Sequence, residues 1–286
     1  MPIDTTPIID THVHFWDIAR SDLYWMTPEL AEQLRPLHRS FGPDDLDPER
    51  QAVGVDRIVI VQAARSEWDH RWWFSLSERY PWIVAVVGWV DLGAADVAER
   101  LDRYCAHPSF RGVRATAENV PDPDWLVTPD VLRGIACVAE RGLTLDLLVR
   151  VDHLPHVPQL AERFPELTLV VDHLAKPPIA SGDLSRWRER MTALVPFDNV
   201  WCKLSGLLTE AGPHPTLETI RPVVDFALEH FGPGRLLWGS DWPVATLAAD
   251  YRSTVRLYRS LTSGLREDEQ AAIFGGNAQR VYRLMT

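Results

Sequence analysis

The feature that most constrains the fold of this chain is a repeated exchange between short apolar segments and longer segments with helical spacing. The apolar segments are near-continuous hydrophobic runs, such as Arg57–Gln62 and Ile83–Val90. Runs of this kind are typical of strands in a parallel sheet that is buried on both faces. Because strand and helix alternate along the whole chain, the sequence predicts an α/β fold.

About eight such units follow one another, and they suit a closed barrel. In roughly 245 residues they fit a (β/α)8 TIM barrel better than an open doubly wound sheet. The absence of a GxGxxG motif after the first strand counts against a dinucleotide-binding fold. We expect residues 1–286 to form a single domain, because no linker rich in Gly, Ser or Pro interrupts them. The predicted strands are Ile8–Ile9 onward, Arg57–Gln62, Ile83–Val90, Phe110–Arg114, Leu143–Val149, Leu167–His173, Val200–Ser205 and Arg235–Asp241.

Charge and composition exclude several classes of function. The formal net charge of −11 argues against nucleic acid or an anionic membrane as the main partner. No uncharged apolar stretch is long enough to span a bilayer, and no signal peptide is visible. The three cysteines, Cys105, Cys137 and Cys202, lack CxxC spacing and suit reduced thiols. We expect a cytoplasmic protein with a small-molecule substrate; a homo-oligomer stays open, because the many tryptophans would suit an interface as well as a lid.

Two histidines lie two residues apart next to the first predicted strand. Residues with this spacing point to the same face of a strand, so His12 and His14 project together. Paired imidazoles can chelate a cation or hold a water molecule between them. A pair alone would also fit buried core histidines whose hydrogen bonds are made within the protein. The prediction of a functional site therefore depends on partners from other strands.

Those partners are polar residues that interrupt other predicted strands near their ends. In a barrel of this kind the chemistry lies at the carboxyl ends of the strands, where such side chains meet. We therefore predict that His12, His14, His173 and Asp241 converge at one barrel mouth. The late polar residues are Arg114, Asp146, Arg150, His173, Lys203, Ser205 and Asp241.

Three imidazoles and a carboxylate suit zinc or another divalent first-row ion. Metal-bound water can lose its proton near neutral pH and attack an ester carbonyl. Besides binding a metal ion, Asp241 could act as a general base towards that water, with a pKa raised by burial. A third reading is structural, since Ser240–Pro243 would suit the start of a helix after the strand.

Four motifs in this order resemble one family. His12–Asp17, Val171–Pro177, Lys203–Leu207 and Trp238–Val244 are similar to the sugar-lactonase-like branch of the amidohydrolase superfamily, which includes relatives of L-fuconolactonase, L-rhamnonolactonase and 2-pyrone-4,6-dicarboxylate lactonase. The likeness runs from about residue 7 to about residue 284. It implies a barrel of the metal-dependent-hydrolase type that opens small lactones, with His12, His14, His173 and Asp241 at the active centre.

The sequence departs from the wider superfamily on two strands. Metal-dependent members usually offer a further His or a modified Lys from strands 4 and 5, where this chain has Arg114 and Asp146. We therefore expect no binuclear centre. The branch contains members with zinc and members without metal, so one divalent ion and metal-independent action both stay open.

The substrate-binding candidates are basic and aromatic residues near the strand ends. Arg65, Arg114 and Arg150 would grip an acidic lactone in bidentate fashion. Arg65 would equally suit a solvated helix start, and Lys203 either polarises the lactone carbonyl or only pairs with Asp241. Trp16 belongs to a long connection that either closes over the ligand or packs onto the rim.

We therefore expect a hydrolase that opens a small sugar-acid lactone. Water held by His12 and His14, with or without metal, would be activated by Asp241, and His173 with Lys203 would stabilise the oxyanion. The same barrel also hosts decarboxylases and hydratases of small aromatic or unsaturated acids. The non-enzymatic alternative is a catalytically inactive barrel that serves as a binding or scaffold protein.

Overall fold

The computed structural model describes residues 6–212 and 215–284 and contains an eight-stranded parallel sheet whose strand order follows chain order. The fold-class prediction is confirmed. Both ends of the predicted domain, residues 1–5 and 285–286, lie outside the described residues. The strands are β1 (Ile9–Val13), β2 (Arg57–Val61), β3 (Ile83–Gly88), β4 (Phe110–Thr116), β5 (Thr144–Leu148), β6 (Leu169–Val171), β7 (Val200–Leu204) and β8 (Leu236–Trp238).

Helices follow the strands and cover the outside of the barrel, as the spacing predicts. A short α7 precedes α8 after the seventh strand, and two short helices with a π-turn between them end the described chain. The helices are α1 (Pro43–Ala52), α2 (Glu67–Arg79), α3 (Val97–Cys105), α4 (Pro129–Glu140), α5 (His156–Arg163), α6 (Ser185–Thr192), α7 (Leu207–Glu210), α8 (Leu217–Phe231), α9 (Tyr251–Thr262), α10 (Glu267–Ala271) and α11 (Asn277–Val281).

The barrel closes between β8 and β1 through the residues that follow β8. The backbone N–H of Asp241 donates to the carbonyl of His12 at 2.9 Å, and His14 N–H donates to the carbonyl of Trp242 at 2.8 Å. Asp241 is thus held beside His12 and His14 by the hydrogen bonds that complete the barrel.

Six strands end one to three residues earlier than the sequence predicts, and in β6 and β8 the difference moves a predicted site residue out of the strand. β6 and β8 have three residues each, so His173 and Asp241 lie in the turns that follow them rather than in the strands. Both residues have positive φ, of 54° and 62°, which no strand can contain. The apolar runs predict the buried strands correctly, but they do not indicate where the backbone changes from strand to left-handed φ.

The C-terminal segment is tied to β8 by one buried amide. Asn277 Nδ2 donates to the carbonyls of Pro233 and Leu236 at 2.8 and 2.6 Å. Tyr282, just after α11, donates its hydroxyl proton to Asp146 Oδ2 at 2.9 Å inside the barrel. Within the described ranges, no helix combines the length and the apolar character that crossing a bilayer requires.

Replacing Asn277 by Ala tests the tie between the C-terminal segment and β8. The change leaves two carbonyl groups without their donor, and such buried unsatisfied groups cost roughly 1–3 kcal/mol. We expect the free energy of unfolding, measured in urea, to fall by about that amount. Gln51→Ala, which removes an exposed amide on α1, is the control. Equal stability of the two variants would contradict the assignment.

Candidate active site

A cavity of about 290 Å³ opens at the carboxyl ends of the strands. Its wall combines residues from the strand ends, among them His14, Arg114, His173 and Asp241, with residues of the long segment that precedes α1. Ligand cavities commonly measure roughly 300–1,000 Å³, so this one suits a small molecule.

His14 and His173 line this cavity, His12 is buried behind them, and all three direct Nε2 towards the centre of the site. His14 Nδ1 donates to the carbonyl of Val61 at 2.8 Å, and its Nε2 lies 3.2 Å from Asp241 Oδ1. His173 Nδ1 lies 2.8 Å from Ser205 Oγ, and His12 Nδ1 lies 3.4 Å from Asp172 Oδ1. In each ring the outer nitrogen contacts the protein and Nε2 faces inward, an arrangement typical of histidines that hold a metal ion or a water molecule.

Asp241 joins the three rings. Its Oδ1 lies 3.2 Å from His14 Nε2, 3.8 Å from His12 Nε2 and 3.9 Å from His173 Nε2. The structure therefore brings together the four residues that the sequence analysis placed at one mouth. All four side chains are buried, with exposed fractions of 0–6%.

The backbone at this site is strained where it positions His173. Residues 173–176 all have left-handed φ between 50° and 59°, although none of them is glycine. Non-glycine residues in this region cost of order 1–3 kcal/mol each and cluster at functional sites. Gly206, at φ +62°, packs so closely that a Cβ there would lie 2.5 Å from His173 Nδ1. Trp187 supports the turn by donating to the carbonyl of Leu174 at 2.7 Å.

The charge state of Asp241 differs from the prediction. Burial alone would raise the pKa of this carboxyl, as expected, but the imidazoles of His173, His14 and His12 outweigh burial and hold its pKa well below the usual range. Burial lowers the pKa of His173 to about 4 and that of His12 well below its ordinary value. Near neutral pH the site therefore holds a carboxylate beside two neutral imidazoles.

Beneath the cavity, four buried charges of alternating sign cross the barrel interior. Lys203 Nζ lies 2.6 Å from Asp146 Oδ2 and 3.1 Å from Asp172 Oδ1, and Arg114 Nε donates to Asp172 Oδ2 at 2.7 Å. We call Asp146, Lys203, Asp172 and Arg114 the interior charge line. Lys203 and Arg114 together lower the pKa of Asp172 far below its usual value, although burial acts in the opposite direction.

The position of Lys203 differs from both readings of the sequence. This side chain is fully buried and is not part of the cavity wall, so it touches neither a bound lactone nor Asp241 as a direct partner. Its Nζ lies 3.2 Å from His12 Nδ1. The two carboxylates of the interior charge line draw the ammonium group inward, which one sequence cannot reveal.

Arg114 is the cation that reaches the cavity instead. Its Nη1 donates to the carbonyl of Gln62 at 2.9 Å, and its Nη2 lies 3.3 Å from His12 Nε2 and 3.5 Å from His173 Nε2. With Nε bound to Asp172, the guanidinium plane is fixed and one N–H edge is directed to the centre of the site.

The other predicted substrate-binding residues lie in different places. Arg150 is on the cavity wall, but Arg65 and Trp16 are not. Arg65 stacks on Tyr24 at 3.7 Å and donates to Thr116, while Trp16 is fully buried against Trp25. Tyr24 and Trp25 line the cavity in their stead. Part of the long connection therefore faces the cavity and part packs on the rim.

Several residues of the site are not predicted from the sequence. Asp10 accepts from Ser240 N–H at 2.8 Å and from Tyr251 at 3.0 Å, so it holds the segment that carries Asp241. Asp172 and Lys176 belong to the quoted motif around His173, which was a usable signal. Glu118 and Glu210 line the cavity and carry no motif that would have indicated them.

The donor set at the centre of the site fits one divalent ion. The ligand atoms of His12, His173 and Asp241 lie within 4.8 Å of one another, and nitrogen with oxygen donors in this number suits zinc. His14 is not in this group, although it contacts Asp241 Oδ1. Arg114 Nη2 approaches two of the same nitrogens, so an ion would share the site with a guanidinium group. Among the described residues, these donors fit a single ion and no second one.

Comparisons with known proteins identify the family of this chain. Residues 9–284 match the amidohydrolase family model. An L-fucono-1,5-lactonase of Burkholderia ambifaria is 41% identical over 280 residues, which cover 96% of this chain and 95% of that protein. An L-fucono-1,5-lactonase of Burkholderia multivorans is 35% identical, with 96% of each chain covered.

A solved structure extends the comparison to three dimensions. It is an amidohydrolase of Burkholderia multivorans with bound zinc, 34% identical in sequence, which superposes with a TM-score of 0.91 over 98% of this chain and 100% of that chain. The family resemblance inferred from the four motifs is confirmed. The chain belongs to the amidohydrolase family.

Proposed function

We propose that this enzyme opens a sugar-acid lactone by attack of water on the ring carbonyl. The observation that carries the proposal is the cluster of His12, His14 and His173 around Asp241 Oδ1, of which His14, His173 and Asp241 line one small cavity. The two relatives named L-fucono-1,5-lactonase, which match nearly the whole chain, support the lactone as substrate.

Asp241 would accept a proton from water and later donate it to the leaving group. A water molecule between the imidazoles and Asp241 Oδ1 loses a proton to the carboxylate as its oxygen bonds to the carbonyl carbon. When the tetrahedral intermediate collapses, the bond to the ring oxygen breaks and the proton passes from Asp241 to the leaving alkoxide. One water is consumed and one hydroxy acid is formed, so atoms and charge balance.

Arg114 would stabilise the negative oxygen of the intermediate. Arg114 Nη2 directs an N–H edge into the centre of the site, where a fixed donor is worth most. His173 Nε2 faces the same Arg114 Nη2 as an acceptor, so His173 would hold the attacking water or a metal ion rather than the oxyanion that the sequence assigned to it. In this scheme Arg114 takes the role that the sequence suggested for Lys203, and Lys203 positions His12.

We infer that His12, His173 and Asp241 are the side chains that would hold one divalent ion, with zinc as the best match for their donors. Such an ion supplies Lewis acidity and lowers the pKa of a water molecule bound to it. The zinc-bound amidohydrolase at a TM-score of 0.91 supports this inference.

Replacing Asp241 by Asn keeps the size of the side chain and removes the proton acceptor. We expect kcat for L-fucono-1,5-lactone to fall by about 10²- to 10⁴-fold, the usual contribution of a general base. Acid release in weak buffer measures it. Asp225→Asn, at an exposed position on α8, is the control. Turnover of Asp241→Asn at the wild-type rate would refute the assignment.

Replacing Gly206 by Ala tests the position of His173. The new Cβ would press on His173 Nδ1, so we expect kcat to fall at least about tenfold, in line with a donor or acceptor displaced from its working geometry. Gly182→Ala is a matched control, because Gly182 also has positive φ but a Cβ added there would meet no atom within 4 Å. If both variants lose the same activity, backbone strain and not the imidazole contact is responsible.

Metal content gives an independent test. We expect elemental analysis of the purified protein to find zinc in a ratio of about one per chain, as in mononuclear catalytic sites. His173→Ala should lose this zinc, because it removes one of three ligands, and the exposed His38→Ala should retain it. Equal zinc in the two variants would overturn the ligand set.

A further inference from the structure

Four charged side chains form a second cluster on the cavity wall, above the catalytic centre. They come from four successive segments that follow β4, β5, β6 and β7, one residue from each. We call them the rim quartet, and they all line the cavity: Glu118, Arg150, Lys176 and Glu210. None of the four takes part in the chemistry described above.

Within the rim quartet, three members are tightly paired. Lys176 Nζ donates to both oxygens of Glu118, at 2.9 and 2.7 Å. Arg150 Nη2 lies 2.5 Å from Glu118 Oε1. The two cations hold the pKa of Glu118 below its usual value against the effect of burial, so the carboxylate is charged and shared between them.

Glu210 is held more loosely. Its oxygens lie 3.8 Å from Arg150 Nη1 and 3.9 Å from Lys176 Nζ, distances beyond a direct hydrogen bond. Burial raises the pKa of this carboxyl, which shows that its cations do not fully compensate its loss of water. Glu210 therefore offers acceptor oxygens to a ligand in the cavity.

The pairing also changes the expectation about substrate charge. The sequence suggested that Arg114 and Arg150 would bind a carboxylate of an acidic lactone. In the structure Arg114 binds Asp172 through Nε and directs its Nη2 to the catalytic centre, away from the rim quartet. Arg150 is bound to Glu118, and the two cations of the rim quartet face its two carboxylates. A substrate carboxylate would meet no unpaired cation in the rim quartet and would lie near Glu210, where like charges repel.

We propose that the rim quartet is a specificity subsite that binds the hydroxyl groups of a neutral, polyhydroxylated lactone and disfavours a lactone carrying a carboxylate. A hydroxyl group both donates and accepts, so it can donate to Glu210 while it accepts from Arg150 or Lys176. Sites built to bind a substrate hydroxyl discriminate strongly against analogues that lack it, because their own polar groups then stay unpaired.

The backbone supports this assignment. Lys176 ends the left-handed stretch that begins with His173, so the same strained turn directs one residue to the reacting carbonyl and the other to the rim. The subsite rests on the proposed function in one respect, since it assumes that the ring bound beside His173 is a lactone. A binding experiment with rings that cannot open separates the two claims.

Three six-membered lactams serve as probes, since they copy the lactone ring and resist ring opening. They are the δ-lactam of L-fuconic acid, which carries hydroxyl groups, the unsubstituted 2-piperidinone, and 6-oxopiperidine-2-carboxylate, which carries a carboxylate. We expect calorimetry on the wild-type protein, with its metal content as purified, to show the hydroxylated lactam binding about 10- to 100-fold more tightly than 2-piperidinone, as expected for hydrogen bonds to charged groups. The carboxylated lactam should bind no better than 2-piperidinone.

Glu210→Gln then tests the residue. It keeps the shape of the side chain but removes its charge, so the affinity for the hydroxylated lactam should fall about 10- to 100-fold. The affinity for the carboxylated lactam, relative to that for the hydroxylated lactam, should rise. Lys176→Met is a second variant expected to act in the same direction on the hydroxylated lactam. Glu49→Gln, in the surface pair with Arg252, is the control and should bind all three lactams as the wild type does.

Each outcome decides one claim. The proposal is overturned if the wild-type protein does not prefer the hydroxylated lactam, or if Glu210→Gln and Glu49→Gln bind it equally. The wild-type comparison needs no variant, so poor folding of Glu210→Gln would leave the proposal testable. If the hydroxylated lactam binds as expected but no lactone is turned over, the subsite stands and the proposed function fails.

Discussion

The interior charge line is the interaction on which the rest of the site depends. Barrels of this fold normally fill their interior with branched apolar side chains, and here Asp146, Lys203, Asp172 and Arg114 occupy part of that space. Each charge has a partner of opposite sign within 3.1 Å, which is what makes their burial tolerable. Removing one partner from such a pair typically destabilises a protein by about 3–5 kcal/mol. The line therefore fixes Arg114 and the ring of His12 from below, and Tyr282 anchors its far end to the C-terminal segment.

Strained backbone positions His173 and Asp241 above the interior charge line. His173 and Asp241 both stand at left-handed backbone positions that side chains avoid, and the surrounding packing keeps them there. Ser205 and Trp187 hold the turn of His173, while Asp10 holds the turn of Asp241. The hydrogen bonds that close the barrel between β8 and β1 pass through Asp241 itself. Closure of the fold and assembly of the site are thus one structural event, because the residue that completes the barrel also completes the cluster of imidazoles.

The sequence predicts the architecture well, because its signals are local. Near-continuous apolar runs identify the eight strands, and polar residues late in those runs identify which side chains meet at the mouth. What it cannot predict depends on partners that are distant in the chain. Lys203 was expected in the cavity and lies beneath it, since Asp146 and Asp172 pair with it there. The pKa of Asp241 was expected to rise with burial and is lowered, since imidazoles from two other segments outweigh burial. Arg150 was expected to be free for a substrate, and a glutamate without any motif neutralises it.

In the proposed reaction, water attacks the carbonyl carbon of a lactone ring and the ring oxygen leaves as a hydroxyl group. Single-turnover hydrolysis of L-fucono-1,5-lactone in ¹⁸O-labelled water, followed by mass spectrometry of the fragmented product, tests this directly. Attack at the carbonyl carbon places one ¹⁸O atom in the carboxylate and none in the released hydroxyl group. Label in that hydroxyl group, or a product that has lost carbon dioxide or water, would contradict it.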